Sequence, residues 1–154
     1  HSHMTKHVIY MSPNESLAEA WDIMKSGKLR HIPVVDDGRL VGILSDRDIL
    51  LSASFRNDLV QVPDLKVSTV MSTRLITCRE ATTVADAAGV LVDRKIDCLP
   101  VVDGRMHLIG MVTSSDLMEI LRDRISDSND VIPIDYKLSH FRDYAGTATA
   151  YGGN

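Results

Sequence analysis

Leu17, Ala20, Trp21 and Met24 stand at i, i+3, i+4 and i+7, the spacing that gathers apolar side chains into one stripe of an amphipathic helix. The same spacing returns 67 residues later at Val84, Ala87, Ala88 and Leu91. A start signal precedes each stripe, Ser16 with Glu19 and Thr83 with Asp86, a capping residue with an acid three positions on. After each stripe comes a short apolar run, Ile-Pro-Val-Val or Leu-Pro-Val-Val. A turn containing Asp-Gly follows, and then Leu-Val-Gly-Ile-Leu or Leu-Ile-Gly-Met-Val. Runs this short, bounded by Asp-Gly, predict two buried strands joined as a hairpin. A second helix is expected from 45 to about 53 and from 113 to about 122, and a short strand at 8–10 and 75–77 opens each unit.

The chain therefore spells one β-α-β-β-α unit twice. Met4 falls on Met71, Ser16 on Thr83 and Pro33 on Pro100, at an offset of 67. One residue is inserted after the turn, so Gly42 falls on Gly110 and Asp48 on Asp116 at an offset of 68. The fold class expected is α+β, with repeat 1 over 4–54, a connection over 55–70, repeat 2 over 71–124 and an irregular tail over 125–154. One such unit buries too little surface to stand comfortably alone, so the two should pack about a pseudo-twofold axis. Within the tail, only Asp-Val-Ile-Pro-Ile-Asp-Tyr looks able to dock.

Composition narrows the function classes. The 154 residues are 44% hydrophobic and 25% charged, ordinary for a globular chain. No apolar run approaches the roughly 18 residues of a membrane-spanning helix, and no signal peptide opens the chain. The expected place is the cytoplasm, with no membrane partner. A net charge of −4 argues against a nucleic-acid surface while allowing a local basic pocket. Cys78 and Cys98 form no Cys-x-x-Cys pair and read as reduced thiols. The opening His-Ser-His-Met has the look of an expression scar, which removes His1 and His3 from any metal argument.

The repeated phrase with most chemistry in it is Ser/Thr-x-x-Asp: Ser45 with Asp48, and Thr113 with Asp116. It has two readings. It is a helix cap with Asp in place of Glu. It is also a ligand site, because a helix start offers free N–H groups to a phosphate and a carboxylate accepts both protons of a ribose diol. Arg47 inside the first phrase is matched by Ser115, and Arg30 by Asp97, so phosphate selectivity could differ between two clefts. As solvated surface charges, the same residues would do nothing. His31 and Cys98 share one position and lack partners at metal-ligand spacing, so they read as pocket-lining or core residues. Gly42 and Gly110 mark close approach of a ligand or tight packing between repeats. No metal triad or activated nucleophile is present, and an enzyme is not expected.

The stretches 30–50 and 96–121 resemble the two halves of a tandem CBS-domain pair, the Bateman module, and the resemblance runs from about Met4 to Arg122. It extends to small stand-alone bacterial CBS proteins, such as accessory proteins of acetoin utilisation. The resemblance implies a regulatory module, with no cofactor required, that binds AMP, ADP, ATP, S-adenosylmethionine or sometimes NAD in clefts between the repeats. It also implies a homodimer that signals to a regulated protein. By the resemblance, Asp48 and Asp116 take the ribose hydroxyls, with Ser45 and Thr113 near the phosphates. Arg30, His31, Ile32 and Pro33 line one adenine slot, and Asp97, Cys98, Leu99 and Pro100 the other. Thr77 matches the Thr that closes the opening strand, where the first repeat has Tyr10, able to stack on a base or to fill the cleft. The alternative is a structural or protein-interaction dimer with vestigial clefts.

Overall fold

The computed structural model describes residues 8–57 and 59–126. His1–Asp123 form one compact unit and Arg124–Asn154 another; the elements below lie in the first, except the last turn of the final helix. The architecture is α+β, two helix-and-hairpin repeats with small antiparallel sheets.

Repeat 1 opens with α1 (Leu17–Gly27), where the Ser16 hydroxyl accepts from the Ala18 N–H and so satisfies one of the helix's free donors. Its stripe is driven inward: Leu17 and Ala20 are fully buried and Met24 nearly so. The helix ends at Lys28, which turns left-handed at φ 52 and returns its N–H to the Met24 carbonyl. The chain then runs out as β1 (His31–Asp36) and back as β2 (Arg39–Ser45). Asp37 and Gly38 take φ 45 and 78 between them, as a type I′ hairpin turn requires. Ile32, Val34 and Leu44 pack beneath α1 with no exposure. The short helix α2 (Asp46–Ser52) closes the repeat by burying Ile49.

Repeat 2 rebuilds this with α4 (Val84–Arg94), β5 (Cys98–Val102), β6 (Leu108–Thr113) and α5 (Ser114–Ser126), labels that leave α3, β3 and β4 for the connection. Details repeat with the sequence. Lys95 ends α4 left-handed at φ 53, and the hairpin slips register between Val101 and Val102 as the first does between Val34 and Val35. The two hairpins meet end to end, with the Leu40 N–H on the Met106 carbonyl at 2.9 Å and Arg39 Nε on the Arg105 carbonyl at 3.1 Å.

Two expectations need correction. The opening strands at 8–10 and 75–77 do not form as strands; each shrinks to one parallel bridge a residue later, Met11 to Val34 and Cys78 to Val101. The helix expected to end near 122 continues through Ser126, into what was read as tail. Residues beyond it, including the Val-Ile-Pro-Ile stretch, lie outside the described residues.

The connection is also built. It carries the hairpin β3 (Ser54–Arg56) and β4 (Leu59–Gln61), then the helical turn α3 (Val67–Val70). Residues 65–68 pair with 13–17: the Leu17 N–H donates to the Leu65 carbonyl at 2.8 Å, and the Val67 N–H to the Glu15 carbonyl at 2.9 Å. Val67 is thereby buried in the core of repeat 1 with no exposure.

Candidate functional site

The Ser/Thr-x-x-Asp phrases are caps. The Ser45 N–H donates to Asp48 Oδ2 at 2.9 Å, the Ser45 hydroxyl donates to the same oxygen at 2.6 Å, and the Asp48 N–H returns to Ser45 Oγ at 3.2 Å. Thr113 and Asp116 repeat all three contacts at 2.7, 2.7 and 3.2 Å. Capping uses one oxygen of each carboxylate. Oδ1 of Asp48 and of Asp116 has no protein partner among the described residues.

The hairpin registers set a residue of the first strand opposite each cap. His31 lies opposite Ser45 and Cys98 opposite Thr113. Beside Ser45 and Asp48 opens a cleft of about 220 Å³, lined on one side by repeat 1 and on the other by residues 72–76 and 95–100 of repeat 2. Of the residues expected at a site, Arg30, His31, Ser45, Arg47, Asp48, Asp97, Cys98 and Pro100 line it together. Arg30 spans the repeats, its guanidinium 3.7 Å from Asp46 on its own side and 3.7 Å from Asp97 on the other. Burial holds the His31 imidazole below its ordinary 6.5, against the pull of Asp46 and Asp97. Burial, with the neighbouring Asp97 carboxylate, pushes the Cys98 thiol up to about 12, so it stays protonated and is no nucleophile.

The other expected residues lie elsewhere. Ile32, Pro33 and Leu99 are fully buried and do not line this cleft; Ile32 and Leu99 belong to the hydrophobic cores of their repeats. Tyr10 is 61% exposed and fills no part of it. Thr77 is half-buried, one residue beyond the lining Ile76. Thr113, Ser115 and Asp116 stand at the equivalent place in repeat 2 and do not line this cleft. The sequence reading missed Ile43, Asp46, Ser72, Arg74, Ile76 and Lys95, which line the cleft. Asp46 could have been found from its place between Ser45 and Asp48, and Ile43 from the repeated Leu-Val-Gly-Ile-Leu run; Ser72, Arg74, Ile76 and Lys95 stand outside the repeated Ser/Thr-x-x-Asp and Pro-Val-Val phrases. Among the described residues no group of three His, Cys, Asp or Glu side chains could hold a metal ion.

This geometry, a doubled helix–hairpin–helix unit with a capped helix after each hairpin, agrees with what comparison finds. The CBS domain matches twice, over residues 2–54 and 67–123. The chain belongs to the CBS-domain family. It is 39% identical over 114 residues to the CBS domain-containing protein YhcV of Bacillus subtilis, covering 74% of this chain and 79% of that one. Its fold matches the CBS domain pair of protein MJ0100, solved with 5-methylthioadenosine and S-adenosyl-L-methionine, at TM-score 0.67 and 29% identity over 79% of this chain and 93% of the other. It likewise matches CBSX2, solved with AMP, at TM-score 0.68 and 28% identity over 79% and 94%. Those two CBS pairs thus take adenosine compounds with and without a phosphate.

Proposed function

We propose that this CBS pair is a regulatory module that binds an adenosine derivative, AMP, ADP or ATP in the first place, in the cleft beside Ser45. The observation that carries this reading is the make-up of the cleft. The Asp48 carboxylate has one oxygen left over from capping, and Asp48 lines a hollow whose other wall comes from repeat 2. That oxygen accepts a ribose hydroxyl, while Ile43, Ile76 and Pro100 offer apolar surface to a base. A ligand held there touches both repeats, so its binding free energy differs between arrangements of the two, which is the condition for a signal. In this reading the module acts in the cytoplasm as a homodimer on a protein it regulates. Thr113, Ser115 and Asp116 mark a second, equivalent place.

A thermal-shift panel with AMP, ADP, ATP, S-adenosylmethionine and NADH, followed by calorimetry, tests it. A ligand at about a hundred times its Kd adds roughly 2.7 kcal/mol, or roughly 5–11 °C in the melting midpoint for a chain of this size. Asp48→Ala should abolish that shift while costing only about 1 kcal/mol as a lost cap. A panel without response, on protein that unfolds cooperatively, would leave Ser45 and Asp48 as caps alone and favour the structural dimer.

A further inference from the structure

The charges in the cleft go further than the family likeness. Four cationic side chains line it, Arg30, Arg47, Arg74 and Lys95, against three carboxylates, Asp46, Asp48 and Asp97. Their commitments differ. Arg30 is held between Asp46 and Asp97, one carboxylate from each repeat. Asp48 is turned onto the Ser45 cap. Arg47, Arg74 and Lys95 make no ion pair among the described residues, and all three are exposed at the rim. A chain of net charge −4 thus concentrates three unengaged cations at one hollow, one from repeat 1 and two from repeat 2.

Resting on the nucleotide reading above, we propose that this cleft selects for a nucleoside di- or triphosphate, with Arg74 and Lys95 as the residues that set the preference. A single phosphate carries about two charges and satisfies one or two donors. Three cations from both sides of a cleft match a longer anion, whose successive phosphates can engage Arg forks and a Lys ammonium together. The same cations repel the sulfonium of S-adenosylmethionine. Because two of the three come from repeat 2, the polyphosphate is also the part of the ligand that ties the repeats together.

The test is calorimetry in magnesium-free buffer with ATP, ADP, AMP, adenosine and S-adenosylmethionine, at low and high salt, on the natural sequence and on Arg74→Ala and Lys95→Asn. Both substitutions are at exposed positions, and Asn accepts the left-handed backbone of Lys95. Circular dichroism and the melting midpoint should match the natural sequence. ATP and ADP should bind at least about tenfold more tightly than AMP, a gap that narrows at high salt. Each substitution should weaken ATP about tenfold while changing AMP less than about threefold. AMP binding as tightly as ATP, or substitutions that weaken both equally, would overturn the selectivity and leave the nucleotide reading standing. No binding by any adenosine compound would overturn both.

Discussion

Gly42→Ala is the substitution that most directly probes how the repeats are joined. Gly42 lies in β2 opposite Val34, and a Cβ built on it would sit 2.3 Å from Met71 Sδ, 3.0 Å from Cγ and 3.2 Å from Cε. The thioether has to leave. Its backbone cannot follow easily, because the next residue, Ser72, is clipped to Ile43 by two hydrogen bonds of 2.8 and 2.9 Å. Gly42 is not in the left-handed region, so the cost is crowding rather than backbone strain. Overpacking of this kind costs about 1–3 kcal/mol. Taking the middle of that range, the melting midpoint should fall by about 4–8 °C. Urea unfolding of Gly42→Ala, of Met71→Ala and of the pair supplies the check. Trimming Met71 in the Gly42→Ala background should recover about 1 kcal/mol or more relative to additivity. Strictly additive losses, or an unchanged midpoint for Gly42→Ala, would refute crowding as the reason for a glycine here. Because Ser72 and Arg74 line the cleft, the same substitution should also weaken any ligand bound there.

Other outcomes can be stated briefly. Lys28→Gly should raise stability by about 0.5–1 kcal/mol, since a left-handed Lys costs more than the backbone freedom that Gly adds to the unfolded chain. Lys28→Ala, measured beside it, should show no such gain. The folded His31 resists a proton that the unfolded chain accepts near 6.5. Its contribution is therefore complete above 6.5 and is lost as pH falls below it, and the loss should vanish in His31→Asn. Cys98 runs the opposite way: the unfolded thiol ionises near 9.0 while the folded one holds its proton to about 12. Stability should fall across that window by up to ~1.4 kcal/mol per pH unit, and Cys98→Ala should remove that slope from the urea-unfolding pH profile.

The helices and hairpins were legible because their signals are local. Helical stripes, Asp-Gly turns and side-chain caps act within a few residues, and Ser16, Ser45, Thr83 and Thr113 all cap as read. The helix end carries a weaker signal: Gly27 was available for the left-handed turn, yet Lys28 makes it, with Gly27 held as the last helical residue. Residues 65–70 gave no signal because α3 is four residues long, too short for a period, and its partners at 13–17 are remote in sequence. The cleft divides in the same way. Ser45, Asp48 and the 30–31 and 97–98 positions could be found because the chain writes them twice. Arg74 and Lys95 reach the cleft only because one repeat's loops cross to the other repeat's cap, and no periodicity encodes that crossing.

The doubling also conceals an inequality with a measurable consequence. In repeat 1, residues 65–70 cover the seam between α1 and α2, and Leu17 and Ile49 are both wholly buried. Their counterparts in repeat 2 are Val84, 49% exposed, and the half-buried Leu117, with a hollow of about 90 Å³ lined by Thr83, Val84, Ala87, Leu117 and Ile120. The helix α5 has no fully buried residue at all. Local opening follows buried apolar area, so the amides of β5 and β6 should exchange with solvent faster than those of β1 and β2, although the two hairpins share one register. At roughly 0.8 kcal/mol per buried CH2, one further methylene placed in that seam is worth up to about 0.8 kcal/mol. Val84→Leu, which extends toward the hollow, should therefore slow exchange in β5 and leave β1 unchanged. Equal protection of the two hairpins in the natural sequence would show that the exposure of Val84 and the hollow beside it carry no energetic weight.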